Sequence, residues 1–312
     1  MKKIIIAGGT GFIGARLSDF LSEQYEIIIL SRRVLSKVNK NDNVRYVHWD
    51  GKKPDNWVKE LENAEVVINL SGSTIDCRFT EKNKKLILQS RIDSTRAIGN
   101  AITLVKNPPK TWINFSAVGY YAESESKPHD EFSTLTGTDF LSEVAEKWEK
   151  TFSEFNLPKT RKIILRISLV LDSRSKIIQT LLPFVRFGLG GKAGNGKQMI
   201  SWIHTLDLCR LILWLFTNNN AVGVYNASSP NPVSNEVFMS IFRKKAKSGF
   251  GIPAPKWLIK ITSFMLNKDS SLLLNSVNVI PKKSLSEGFE FIYSNLDECM
   301  QQIITDINGK SS

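Results

Sequence analysis

The chain has 312 residues, 42% of them hydrophobic, enough to bury a full core in one large domain or two modest ones. Its formal charge is +12, but lysines and arginines occur among acids from end to end without a long basic block, which argues for a lysine-rich surface and against a nucleic-acid partner. Three widely spaced cysteines, Cys77, Cys209 and Cys299, exclude a disulfide framework and have no metal-ligand spacing, so no metal site is expected.

The opening MKKIIIAGG is charged and then apolar, but glycines break the run too early for a signal segment. Residues 2–8, 26–30, 44–49, 65–70, 111–116 and 162–171 read as strands, and 11–23, 80–104 and 138–155 have helical spacing between them. This alternation predicts an α/β fold with a doubly wound parallel sheet, whose ligands bind beyond the carboxyl ends of the strands. The longest apolar run, LDLCRLILWLF (206–216), is half a membrane span and carries Arg210, so it reads as a buried helix. The protein is therefore expected to be cytoplasmic, with no membrane partner. The Pro/Asn/Ser-rich stretch 224–235 reads as a turn. Domain boundaries are placed at 1–171 for a nucleotide-binding domain and 172–312 for a substrate-side lobe, its last part (about 245–312) forming a small C-terminal domain.

AGGTGFIG (7–14) follows the first strand and opens the first helix. Gly9, Gly11 and Gly14 fit G-x-G-x-x-G, and Gly8, Gly11 and Gly14 fit the related G-x-x-G-x-x-G spacing. Such a turn lets backbone approach a pyrophosphate, which then rests on free N–H groups at the positive end of the helix. About 20 residues further on, a site for NAD would place an acid against the ribose 2′-hydroxyl. This chain places Ser31, Arg32 and Arg33 there. A guanidinium repels nothing in a 2′-phosphate and offers it a charge-assisted grip, so the expected cofactor is NADP(H).

GGTGFIG with LSRR resembles the extended short-chain dehydrogenase/reductase superfamily. INLSG (68–72), SRIDSTRAI (90–98), SAVGYYA (116–122), FLSEVAEKWE (140–149), the long stretch 182–208, NASSPNPVSNEVF (226–238) and VIPKKSLSEGFEF (279–291) resemble one atypical branch of it, epimerase-like NADP-binding proteins sometimes labelled cell-division-inhibitor homologues. The resemblance spans nearly the whole chain and implies a Rossmann-like core, NADP binding and a small C-terminal domain. It implies that Gly8, Thr10, Gly11, Phe12, Ile13 and Gly14 hold the pyrophosphate, and Ser31, Arg32 and Arg33 the 2′-phosphate. Asp50 falls at the adenine position, Leu70 and Ser71 beside the adenosine ribose, and Ser116, Ile167, Ser168 and Leu169 toward the nicotinamide. Arg91 has two readings, a ligand for the cofactor phosphates or a surface ion pair with Asp93 or Glu81.

Catalytic members of that superfamily carry Tyr-x-x-x-Lys on one helical face, the lysine easing proton exchange by the phenol while hydride moves. Here the corresponding places hold Leu141 and Ala145, or Phe140 and Val144 in the neighbouring register. The usual serine position falls on Ala117, with Ser116 adjacent. Tyr120, Tyr121 and Lys147 are the available substitutes, each with a plain packing or solvation reading beside it. His204 reads as a packing residue, and Met199 and Trp202 as an apolar substrate wall. Three functions fit: an NADP(H)-dependent oxidoreductase with an atypical site acting on an unknown small molecule, a non-enzymatic NADP(H)-sensing module, and a nucleotide-sugar epimerase or dehydratase.

Overall fold

Ile4, Ile5 and Ile6 and their neighbours Ile27, Ile28 and Ile29 are buried on both faces of the sheet, as parallel strands covered by two helical layers require. The structure, a computed structural model, describes residues 1–33 and 43–309. In chain order the nucleotide-binding part comprises β1 (Lys2–Ala7), α1 (Phe12–Leu21), β2 (Tyr25–Ser31), β3 (Val44–His48), β4 (Val66–Asn69), α2 (Glu81–Leu104), β5 (Thr111–Ala117), α3 (Phe140–Ser153) and β6 (Arg161–Ile167). There follow β7 (Leu169–Leu171), α4 (Lys176–Arg186), β8 (Met199–Ile200), β9 (Trp202–His204), α5 (Thr205–Thr217), β10 (Gly223–Ala227), β11 (Val233–Ser234) and α6 (Asn235–Lys245). The chain ends with α7 (Lys256–Met265), α8 (Ser271–Leu274), α9 (Lys282–Ser286) and α10 (Leu296–Gly309).

Seven parallel strands form the main sheet in the order β10-β6-β5-β4-β1-β2-β3. The order reverses between β1 and β4, which opens a crevice at their carboxyl ends. One face packs on α1 and α5 through Leu17, Leu21, Leu208 and Leu215. The other packs on α2 and α3 through Ile98, Ala101 and Phe152. A separate core joins α4, α6 and α10 in the C-terminal region. The fold is α/β, with a Rossmann-like sheet and a smaller C-terminal part.

Two sequence expectations are corrected here. The run 162–171 is not one strand: the chain leaves the main sheet at Ser168, and β7 pairs instead with β9 in a separate two-stranded sheet. The second concerns the stretch 224–235, beyond the expected boundary at 171. Residues 224–227, read as the start of a turn, belong to β10, which returns to the main sheet beside β6, and α5 covers that sheet. The apolar run 206–216 does form a buried helix, and among the described residues no helix is long and apolar enough to cross a membrane. His204 caps it, its Nδ1 accepting from the Leu206 N–H at 3.2 Å, and burial pulls its pKa down.

Candidate functional site

The crevice begins at the glycine turn. Gly8 has φ +79°, and a Cβ there would lie 2.9 Å from the Leu70 carbonyl carbon. A Cβ on Gly14 would lie 2.4 Å from Gly9 Cα, so α1 can start against the turn only with glycine at that place. No side chain caps α1, and no acid occupies its first turn, leaving its positive end facing the crevice. Thr10 is exposed, and Phe12 and Ile13 are half-buried.

Across the crevice, β4 ends on a buried polar lattice. Asn69 Nδ2 donates to Asn114 Oδ1 at 2.8 Å, and Asn69 Oδ1 accepts from the Ser71 N–H at 3.1 Å. Trp148 Nε1 donates to Thr95 Oγ1, which also accepts from Asn69. The lattice fixes the backbone after β4 but leaves the buried Ser71 Oγ without a partner among the described residues. An orphaned buried hydroxyl is costly in a finished core and fits a position that receives a polar ligand.

Of the two readings of Arg91, the surface ion pair is not formed. Neither acid pairs with it: Asp93 accepts from Gln89, and Glu81 takes Lys84. Instead Arg91 Nη1 donates to the carbonyls of Ser73 (3.1 Å) and Ile87 (3.0 Å), with the guanidinium carbon 5.2 Å from the Trp148 ring. It lies against Gly72, where a Cβ would come within 2.9 Å of its Cζ. With no carboxylate nearby, burial lowers its pKa to about 10. A half-buried cation with only carbonyl partners suits an anion arriving in the crevice.

At the close of β2, Arg32 and Arg33 are exposed, without a carboxylate partner among the described residues. Ser31 Oγ accepts from the Arg33 N–H at 3.2 Å. Asp50 stands in the turn after β3, where Oδ1 accepts from the Lys52 and Lys53 N–H groups and these bonds lower its pKa. Its other oxygen is directed to no described partner.

At the other end, the expected proton-transfer pair is absent and a buried ion pair stands near it. Arg166 on β6 makes two bonds to Glu149 on α3, at 2.8 and 2.7 Å, and Ser116 donates to the same carboxylate at 2.6 Å. Burial alone would lower the Arg166 pKa, but Glu149 reverses this and raises it. The Arg166 guanidinium lies 3.5 Å from the Tyr120 ring centroid and 4.8 Å from that of Tyr121. Tyr121 is committed: its hydroxyl donates to Asn226 Oδ1 at 2.9 Å and its ring stacks on His129. Lys147, weighed as a proton donor, is corrected to a solvated lysine paired with Glu143 at 2.5 Å, since it points away from the sheet. Tyr120 is half-buried, and among the described residues its hydroxyl has no hydrogen-bond partner. Ile167 and Leu169 are half-buried at the end of β6, and Ser168 Oγ donates to the Ala227 carbonyl.

Trp202 is also corrected. It is wholly buried in the C-terminal core, its Nε1 donating to the Asn231 carbonyl, because β9 turns it away from solvent. Met199 is half-buried on β8. The sequence reading passed over both Glu149 and Arg166. The available signal was an arginine inside the apolar strand KIILRI, which cannot be buried without a partner. It also passed over Asp76, beyond β4, which pairs with Lys176 on α4 and with Lys268 at 2.9 Å. With Arg78 lying 4.2 Å from the Phe264 ring, these contacts tie the loop after β4 to the C-terminal region.

Residues 4–140 match the NAD dependent epimerase/dehydratase family, and 254–303 match a domain of unknown function, DUF1731. Epimerase family protein YfhF of Bacillus subtilis (strain 168) is 35% identical over 306 residues, covering 97% of this chain and 98% of that protein. The chain belongs to the epimerase family. Another member, SH2119 of Staphylococcus haemolyticus, is 33% identical over 97% of this chain and 99% of its own length. A crystal structure of human epimerase family protein SDR39U1 with NADPH is 28% identical, with a TM-score of 0.86, covering 97% of this chain and 99% of that one. The epimerase family thus accounts for both halves of the chain, the glycine turn and the C-terminal helices.

Proposed function

We propose that this epimerase-family protein binds NADP(H) and is an oxidoreductase for a small carbonyl compound, working without Tyr-x-x-x-Lys. The observation that carries the cofactor reading is Arg91, half-buried beside Gly72 with carbonyl partners and no acid. Arg32 and Arg33 are suited to a 2′-phosphate, the uncapped α1 and Arg91 to the pyrophosphate, and Ser71 Oγ to a ribose hydroxyl. The NADPH in the crystals of the human relative supports the same assignment. When bound, the nicotinamide supplies hydride.

The chain's own residues then orient a carbonyl and exclude water. Ser116 has its proton directed at Glu149, so it is not free to donate to a substrate oxygen. Tyr120, held by the Arg166 guanidinium, is the phenol with a free hydroxyl and takes the proton-donor role in this reading. Titration of NADPH and NADH, repeated with Arg32→Ala, tests the cofactor. Equal affinities unaffected by the substitution would refute it. Turnover of NADPH with carbonyl and quinone compounds, lost in Tyr120→Phe, tests the chemistry.

A second reading, a module that binds NADP(H) and reports redox state, is favoured by Leu141 and Ala145 at the catalytic places and by the engagement of Ser116. Tight NADPH binding with no turnover across the panel would select it.

A further inference from the structure

The positive charge is not spread evenly, which corrects the expectation from composition. Between 174 and 275 stand thirteen lysines and arginines against three acids, Asp207, Glu236 and Asp269, so this third of the chain carries nearly all of the +12. Lys197, Lys244, Lys247, Lys256 and Lys260 are exposed and have no carboxylate partner among the described residues.

The same region exposes its apolar side chains. In α7 only Ile259 and Ser263 turn inward, while Trp257 (64% exposed), Ile261, Phe264 and Met265 (78%) face out. An amphipathic helix at a protein surface ordinarily shows the reverse pattern. The stripe continues across adjoining backbone. Ile252 N–H donates to the Gly188 carbonyl, Gly191 to Ile252 and Gly194 to Ala254, so 188–194 runs beside 250–254. That pairing brings the exposed Phe187 and Phe250 together on the segment that leads into α7; a Cβ on Gly188 would meet the Phe250 ring at 2.6 Å. Aromatic and aliphatic groups on α7 and the segment before it, with Lys247, Lys256 and Lys260 exposed on the same stretch of chain, are more than scattered exposed residues.

We propose that this face docks on a lipid bilayer containing anionic headgroups, with Trp257, Met265, Phe187 and Phe250 entering the headgroup–acyl boundary and Lys256, Lys260 and Lys247 meeting the phosphates. The apolar stripe with flanking lysines is the pattern of an interfacial helix. A second copy is disfavoured by charge, since a two-fold pairing would set this cationic face against itself. Nucleic acid could stack on Trp257 or Phe250, but the aliphatic Ile252, Ile261 and Met265 offer a base nothing to stack on and suit a hydrocarbon boundary better. The inference does not depend on the cofactor assignment.

The test uses the full chain with vesicles of phosphatidylcholine, alone or mixed with phosphatidylglycerol. Of the seven tryptophans, five are nearly or wholly buried, Trp214 is half-buried, and Trp257 is the exposed one, so an emission shift reports its environment. Mixed vesicles should bind at least about tenfold more tightly than neutral ones, less so at high salt, with a blue shift quenched by brominated acyl chains. Lys256→Glu/Lys260→Glu and Trp257→Ser/Met265→Ser should each weaken co-sedimentation about tenfold while the thermal midpoint holds. Failure to bind mixed vesicles at low salt, or equal binding to both kinds, would overturn the proposal. So would a micromolar dimer that buries Trp257, or tighter capture by duplex DNA or an acidic peptide sensitive to the same substitutions.

Discussion

Arg166 grips both carboxylate oxygens of Glu149 inside the protein, with side-chain exposures of 5% and 10%. Removing one partner of such a pair strands the other charge. Glu149→Gln should therefore cost about 3–5 kcal/mol in urea unfolding, and Arg166→Met a similar amount. Replacing both by apolar residues of like volume should recover much of the loss, since the pair's attraction only offsets its desolvation.

Arg91 lacks what Arg166 has. Arg91→Met should leave the thermal midpoint of the cofactor-free protein unchanged or slightly raised, because a half-buried, partly desolvated cation without an acid is removed. NADPH affinity should fall by at least about tenfold in the same variant, measured by fluorescence titration. A stable variant with undiminished affinity would remove Arg91 from the cofactor site.

Gly14→Ala forces a methyl group to 2.4 Å from Gly9 Cα. Neither backbone segment can yield without moving α1 from β1, so NADPH binding should be lost and the thermal midpoint should drop. Gly11→Ala is the contrasting control, since a Cβ there meets only the Gly8 carbonyl oxygen at 3.6 Å. Its fold should survive, with any loss confined to the ligand.

Asp172 gives the stability a pH dependence. Burial alone would raise its pKa, but the Arg174 N–H and the Arg16 guanidinium, whose Nε and Nη2 donate at 2.8 and 2.5 Å, lower it overall. Its folded pKa thus lies below the unfolded value of about 3.9, and the stabilisation is complete above that value and lost as pH falls through the folded one. Asp172→Asn should cost about 2 kcal/mol at pH 7. The gap to the parent should narrow as acid titrates the parent's carboxylate below the ordinary range, as urea curves at descending pH would record.

The sequence disclosed those parts whose physics is local. A glycine turn between strand and helix follows from close backbone approach, and the lack of an acid after β2 fits the extra phosphate of the proposed cofactor. The position of Arg91 was legible only as a choice, because its acids lay near in sequence and the structure had to show that Gln89 and Lys84 had taken them. Glu149 and Arg166 meet only when α3 lies across β6, a long-range fact that neither residue announces alone. The break at Ser168 was hidden for another reason. Both halves of KIILRISLVL are apolar and buried, so periodicity cannot tell one sheet from two. Residues 224–227 were obscured by the prolines and asparagines that follow them, although Tyr225 and Ala227 are wholly buried.

The return of β10 to the edge of the main sheet has a practical result for anyone dissecting this molecule by truncation. A fragment ending at 171 would bare the flank of β6 along five backbone partners and strip α5 from the sheet's hydrophobic face. Such a fragment would be prone to pair with other copies of itself through that raw edge. The parts on either side of 171 should therefore fold together, and shortening the gene there should yield insoluble material.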